Sequence, residues 1–397
     1  MSGRQIKMVD AFTLSRIPRI VFGTGTLRKL PLLMEEFGDR FLIVTGASSF
    51  QSGDNGRKLL KTLESSEKII YRGRIIKEPS PSDVDDIVME YHGKGIDAVV
   101  GIGGGSVLDA AKAVSAMLRI GEPVREYIEG VGNKKHPGIK IPFIAVPTTA
   151  GTGSESTENA VIAEIGRNGF KRSLRHVNLV PEIALVDPEL TIGCPPEITS
   201  ASGMDALTQL IESYVSVNAN TFTDSLAEEA IRLVITNLPK VLKNGADIDA
   251  REALSYAAMI SGITLANAGL GVVHGFASSI GGCIDIPHGA LCGTLLGVAN
   301  RIILDALLTN DPDNPAIPKY ARLGRYFIEN RNLTEGEFAI YFIELLEKLV
   351  IELNLPRIGN YGLEAEELLN ITENTSQKNN PVKLNKDELL QILRSRW

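Results

Sequence analysis

Hydrophobic and polar positions follow two regimes in the first half of the chain. Short, almost wholly apolar runs occur at Arg19–Phe22, Phe41–Thr45, Ala98–Ile102 and Ile141–Val146, the pattern of strands covered on both faces. Between them, apolar residues fall at helical spacing over Asp54–Leu63, Asp83–His92 and Val107–Leu118. Strands alternating with helices predict βαβ units and a parallel sheet. A further apolar run, Ile183–Asp187, predicts a late strand that closes this half. After about Pro195 the pattern changes. Long amphipathic stretches at Ala201–Val217, Phe222–Leu238, Ala250–Ala268, His288–Ile303 and Glu337–Leu353 predict an all-helical second half. Pro195 and Pro196 mark the break, giving an α/β domain over residues 1–192 and a helical domain over 193–397. The tail after Gly362 is polar and only weakly periodic.

Composition narrows the partners. A chain of 397 residues is long for one core. Its net charge of -7 and lack of a long basic run argue against nucleic acid or an anionic membrane. No apolar run reaches the roughly 20 residues of a membrane helix, and the start, MSGRQIKMVDAF, lacks a signal peptide's apolar core. Three cysteines without a CxxC pair suit a reducing compartment, so a soluble cytoplasmic protein is expected.

The segment DAVVGIGGGSVLDAAKAV reads as strand, glycine turn, helix. Gly103, Gly104 and Gly105 let backbone approach a phosphate, and the following helix N-terminus presents N–H groups and positive dipole to it. Ser106 fits an N-cap, with Asp109 in capping-box position. The ordinary alternative is a plain turn. A second loop, VPTTAGTGSE, follows the Ile141–Val146 run and supplies the hydroxyls of Thr148, Thr149 and Thr152. Two such loops at the carboxyl ends of parallel strands would frame one crevice for a dinucleotide; otherwise the threonines satisfy only their own backbone. The strand FLIVT runs into Gly46, Ala47, Ser48 and Ser49. No carboxylate stands there to repel a 2′-phosphate, which favours NADP(H) over NAD(H).

Only five histidines occur in the chain. His274 and His288 share an apolar, glycine-rich segment, and Asp205 lies upstream on a strongly apolar helical pattern, where an unpaired carboxylate is costly. One carboxylate and two imidazoles can hold Zn²⁺ or Fe²⁺ with a position open to a substrate oxygen; a buried, hydrogen-bonded histidine is the commoner use. Gln209 lies one helical turn after Asp205 and faces the same way. Cys292 lies one turn after His288, where a core thiol is the ordinary reading and a thiolate ligand the other. His92 and His136 fall in surface-like segments, and His176 has a structural look.

Together GGGSVLDAAK, PTTAGTGSE, VPEIALVDPELT, GMDALTQLIESYVS and VVHGFASSI…DIPHG resemble, in order and over residues 15 to 305, the iron-containing (group III) alcohol dehydrogenases. The resemblance implies a Rossmann-like dinucleotide-binding domain, an all-α metal-binding domain (the dehydroquinate synthase-like architecture) and a cleft between them. It implies interconversion of small alcohols with aldehydes or ketones by a homodimer. Gly46, Gly103, Gly104, Gly105, Ser106, Thr148, Thr149, Thr152 and, less directly, Lys171 would meet the cofactor, and Asn159 the substrate. Metal would sit on Asp205, Gln209, His274 and His288, with Gln209 where the family has a histidine. Ser278 also replaces a histidine of the family. The two departures imply Zn²⁺ rather than Fe²⁺, weak binding, or no metal. A metal-independent reductase resembling maleylacetate reductase, a lyase resembling dehydroquinate synthase and a non-catalytic nucleotide-binding protein are the competing expectations.

Overall fold

The computed structural model describes residues 11–47, 50, 53–166, 169–329 and 332–397. Six strands form one parallel sheet: β1 (Arg19–Phe22), β2 (Arg40–Thr45), β3 (Ile69–Arg74), β4 (Ala98–Gly103), β5 (Phe143–Pro147) and β8 (Ile183–Val186), in the order β1-β8-β5-β4-β2-β3. β6 (Asn159–Glu164) and β7 (Phe170–Arg175) form a separate antiparallel pair. The helices of this half whose bounds fall within the described residues are α1 (Leu30–Met34), α2 (Asp54–Glu64), α3 (Pro81–Tyr91) and α4 (Gly105–Met117). Apolar clusters cover both sheet faces, one built on Val99, Val114 and Phe143 and the other on Phe41, Val100 and Ile144. This is why β2, β4 and β5 carry no polar alternation. β3 escaped the sequence pattern because, at the sheet edge, only Gly73 of its six residues is buried.

From Pro196 onward the described residues are helical or loop: α5 (Pro196–Val215), α6 (Thr221–Lys243), α7 (Ile248–Ala268), α8 (Val272–Ile280), α9 (His288–Asn310), α10 (Ala316–Arg325), α11 (Glu335–Glu352), α12 (Glu367–Asn374) and α13 (Lys386–Arg396). One core joins them through residues such as Leu207, Phe276, Leu295 and Phe342. The expectation for the tail is corrected: α12 and α13 dock Ile371, Ile392 and Leu393 into that core. Asn385 caps α13 by accepting the N–H groups of Asp387 and Glu388, while Glu388 returns the bond to Asn385. Also corrected is the expectation of no long apolar segment. α9 is long and apolar enough to cross a membrane, yet 78% of that window is buried inside the fold, as in a core helix. His136 is buried rather than on the surface; its Nδ1 accepts the Gly138 N–H at 3.1 Å.

The halves meet where the loop after β5 lies on α7. A Cβ on Gly153 would stand 2.4 Å from the Gly262 nitrogen, and one on Gly262 would stand 2.2 Å from the Gly153 carbonyl oxygen. Gly153 is also left-handed, at φ +63°, so glycine is required on both counts.

Candidate functional site

The carboxyl ends of β2, β4 and β5 open into a cleft of about 1690 Å³. That exceeds the roughly 300–1,000 Å³ that serves one drug-sized ligand, leaving room for a dinucleotide and a second molecule. Gly103, Gly104, Gly105, Ser106, Thr148, Thr149 and Thr152 all line it, as do Gly46, Asn159 and Lys171. The Thr148 N–H donates to the Gly103 carbonyl at 2.9 Å, which ties the two loops together. A Cβ on Gly105 would meet Thr152 Cγ2 at 2.5 Å; glycine lets the turn nest under the threonine loop. Thr152 Oγ1 accepts the Ser154 N–H at 3.3 Å, so part of the local-turn alternative holds as well.

The expected capping box is not formed. α4 starts at Gly105 with Gly104 as N-cap and no side-chain cap. The Val107 and Leu108 N–H groups both bond the Gly104 carbonyl at 3.0 Å, which leaves the N–H groups of Gly105 and Ser106 ahead of them at the helix N-terminus. Asp109 instead accepts the Ser154 hydroxyl, and buried Lys112 donates to the carbonyls of Ser154, Thr157 and Asn159 at 2.8, 3.0 and 2.7 Å. These bonds pin the threonine loop and the start of β6 to α4. Burial pushes the Lys112 ammonium down to about 8 and the Glu155 carboxyl up to about 7. Sequence reading missed both; for Lys112 the available signal was a cation inside the small, apolar run DAAKAV.

Beyond the end of β2, Gly46 and Ala47 border the cleft, while Ser48 and Ser49 lie outside the described residues. Arg74, at the end of β3, donates to the Ala47 carbonyl, and Lys77 lines the cleft nearby. Lys171 pairs with Glu78 at 2.5 Å. Asn159 Nδ2 donates to Ser173 Oγ at 3.4 Å.

Deeper in the cleft the three distant residues converge. His274 Nε2 is 3.5 Å and His288 Nε2 3.7 Å from Asp205 Oδ1. Asp205 sits mid-helix on α5, His274 in the first turn of α8 and His288 at the first position of α9. Asp205 is 2% exposed, and its Oδ1 has no hydrogen-bond partner among the described residues. Such an orphaned buried oxygen, facing two imidazole nitrogens, suits a cation-binding position. Glu212, unnoticed in the sequence, accepts His274 Nδ1 at 2.6 Å and the Val273 N–H at 2.7 Å. It therefore turns Nε2 toward Asp205, the orientation a liganding histidine takes from a carboxylate partner. Asp205, Gln209 and Glu212 share one α5 face at i, i+4 and i+7; that second acid was legible in the helical spacing. Gln209 donates from Nε2 to Asp205 Oδ2 at 3.4 Å and accepts the Ser261 hydroxyl at 2.7 Å. Cys292 Sγ lies 3.7 Å from Nε2 of both histidines. Burial disfavours the Asp205 carboxylate, yet His288 and His274 hold its carboxyl below the ordinary value. Burial likewise opposes charging His274, but Cys292, Asp205 and Glu212 raise it well above its ordinary value. Ser278, one turn past His274, lines the cleft in front of it.

Known proteins resemble the chain along its whole length. Residues 18–188 match the iron-containing alcohol dehydrogenase family, and residues 199–397 match its C-terminal counterpart. The NADPH-dependent butanol dehydrogenase of Clostridium saccharobutylicum is 31% identical over 398 residues, covering 96% of each chain. The NAD-dependent methanol dehydrogenase of Bacillus methanolicus is 35% identical over 279 residues, 70% of this chain and 72% of that protein. Among solved structures, an alcohol dehydrogenase from Oenococcus oeni superposes with a TM-score of 0.85 at 28% identity, covering 98% of this chain and 100% of that one.

Proposed function

The chain belongs to the iron-containing alcohol dehydrogenase family, and from that premise we propose that it reduces small aldehydes with NADPH at a metal centre on Asp205, His274 and His288. NAD(P)-dependent alcohol oxidoreduction is the activity of the family; the cofactor preference, metal ligands and direction of use are the proposed part. One observation carries the site: Asp205 Oδ1, buried and unpartnered, facing two imidazole nitrogens at 3.5 and 3.7 Å.

When bound, the metal would supply Lewis acidity toward a carbonyl oxygen, and the nicotinamide a hydride. The protein's own residues do the rest. Glu212 orients His274. Gly103, Gly104, Gly105 and Ser106 offer the α4 N-terminus to the pyrophosphate, and the hydroxyls of Thr148, Thr149 and Thr152 border the same path. Lys171 contributes positive charge beside the metal pocket, partly spent on Glu78. Asn159 turns an amide toward the substrate space. The Ser278 hydroxyl, or a cleft water, gives the product oxygen its proton. NADP(H) is favoured because Gly46 and Ala47 offer no acid to the ribose, while Arg74 and Lys77 offer cations to a 2′-phosphate.

Residues 1–192 then form the dinucleotide-binding domain and 193–397 the metal- and substrate-binding domain, with a break between β8 and α5. The three cysteines are free, which supports a cytoplasmic setting, and the family resemblance supports a homodimer. The test is turnover of NADPH with short aldehydes. Removal of metal by chelation and the substitution His274→Ala should each abolish it, and Zn²⁺ should restore only the chelated parent. Turnover indifferent to both would overturn the metal role and favour a metal-independent reductase.

A further inference from the structure

We propose that Cys292 is a metal ligand, completing an Asp205–His274–His288–Cys292 donor set in which Gln209 acts only by positioning Asp205; this rests on the metal-centre reading above. The four ligand atoms lie within 4.8 Å of one another. The separations fit a single ion. Around a tetrahedral ion with bonds of about 2.0–2.1 Å to nitrogen or oxygen and about 2.3 Å to sulfur, two N/O ligands stand about 3.3 Å apart and an N–S pair about 3.6 Å. Here the N–O edges are 3.5 and 3.7 Å and both N–S edges are 3.7 Å.

The thiol has no better use. A core cysteine packs its sulfur on carbon; this one, fully buried, faces two imidazole nitrogens. A single S–H proton cannot serve both. Cys292 follows His288 by one turn, so the first turn of α9 presents both ligands on one face. His288 lines the cleft and Cys292 lies behind it, outside the cleft wall. The sulfur thus closes the rear of the site and takes the fourth tetrahedral position, so a substrate oxygen would enter from the cleft side as a fifth ligand.

Gln209 is differently committed. Its oxygen accepts from Ser261 and its amide nitrogen points at Asp205 Oδ2. Turning the amide over would set its oxygen against that carboxylate. Charge agrees as well: Asp205 and a Cys292 thiolate together balance a divalent ion, whereas a neutral amide leaves one charge unmatched. Coordination forms when Cys292 loses its proton to solvent and the sulfur lone pair binds the ion, with no change of oxidation state. A thiolate in the set favours Zn²⁺.

The experiment loads the metal-free full-length chain with Co²⁺ and reads bound cobalt per chain together with the near-ultraviolet sulfur-to-cobalt charge-transfer absorption. The parent should bind one Co²⁺ and show the band. Cys194→Ser/Cys283→Ser, which leaves Cys292 as the sole thiol, should keep it, and so should Gln209→Ala. Cys292→Ser should lose the band and bind at least about tenfold more weakly, the loss that even an outer-sphere partner causes. Stoichiometric binding without the band in the parent overturns the thiolate ligand and leaves the metal centre standing. No cobalt binding by the parent overturns both. Should Cys292→Ser fail to fold, the single-thiol variant decides alone, since a band there supports the ligand and its absence refutes it.

Discussion

Replacing Glu212 by Gln tests how the metal pocket is held. The carboxylate now accepts two buried donors, His274 Nδ1–H at 2.6 Å and the Val273 N–H at 2.7 Å. An amide has one oxygen and one NH₂, so it can accept from only one of them and must turn a donor toward the other. The unpaired donor costs about 1–3 kcal/mol of fold stability. The imidazole also loses the charge that fixes its tautomer and strengthens Nε2 as a ligand. Outer partners of this kind are worth about 10–100-fold in metal affinity, or about 1.4–2.7 kcal/mol. The assay is competition for Zn²⁺ against a chromophoric chelator, beside urea unfolding of the metal-free protein. Glu212→Gln should weaken Zn²⁺ binding by that factor and lower the unfolding midpoint modestly. A variant that loses stability but binds Zn²⁺ as tightly as the parent would refute the argument, because Glu212 would then support the fold and not the ligand.

Gly46→Asp should reverse cofactor preference: a Cβ there has its nearest neighbours at 3.7 and 4.0 Å, so the carboxylate fits, and the kcat/KM ratio of NADPH to NADH should fall about tenfold or more, worth about 1.4 kcal/mol; an unchanged ratio would place the ribose elsewhere. Gly105→Ala drives a methyl to 2.5 Å from Thr152 Cγ2. Relieving such overpacking costs about 1–3 kcal/mol, so KM for the dinucleotide should rise about tenfold with kcat little altered, and unaffected kinetics would argue against the loop's role. Glu155→Gln probes a burial penalty. Burial pushes the folded-state carboxyl from 4.5 to about 7, so the folded chain binds a proton in that window that the unfolded chain has released, and stability falls as pH rises through it. The variant should therefore gain over the parent in urea midpoint as pH rises from 4.5 to 7, the gain persisting above; a gap independent of pH would contradict this.

The sheet was legible because its central strands are buried on both faces and leave unbroken apolar runs, as in Phe41–Val44 and Val99–Val100. β3 and the β6–β7 pair were not, since their partly exposed residues mix charges with apolar side chains. The last two helices hid in a polar tail whose caps, such as Asn385 with Glu388, were present in the sequence but unsupported by periodicity. In the site, the glycine and threonine loops could be read because backbone approach dictates residue type. The bond from the Ser154 hydroxyl to Asp109 could not, for local spacing suggested a cap and tertiary contact won. Cys292 beside His288 was visible as an i, i+4 pair, but only coordinates bring His274 from another helix against the same sulfur.

The most direct test of the central claim is anomalous diffraction at the zinc edge from crystals of the full chain grown with Zn²⁺ and NADPH. The account predicts one strong peak bonded to Asp205 Oδ1 and to Nε2 of His274 and His288, beside the nicotinamide end of the cleft. A pocket without a peak, its imidazoles turned to other partners, would contradict it.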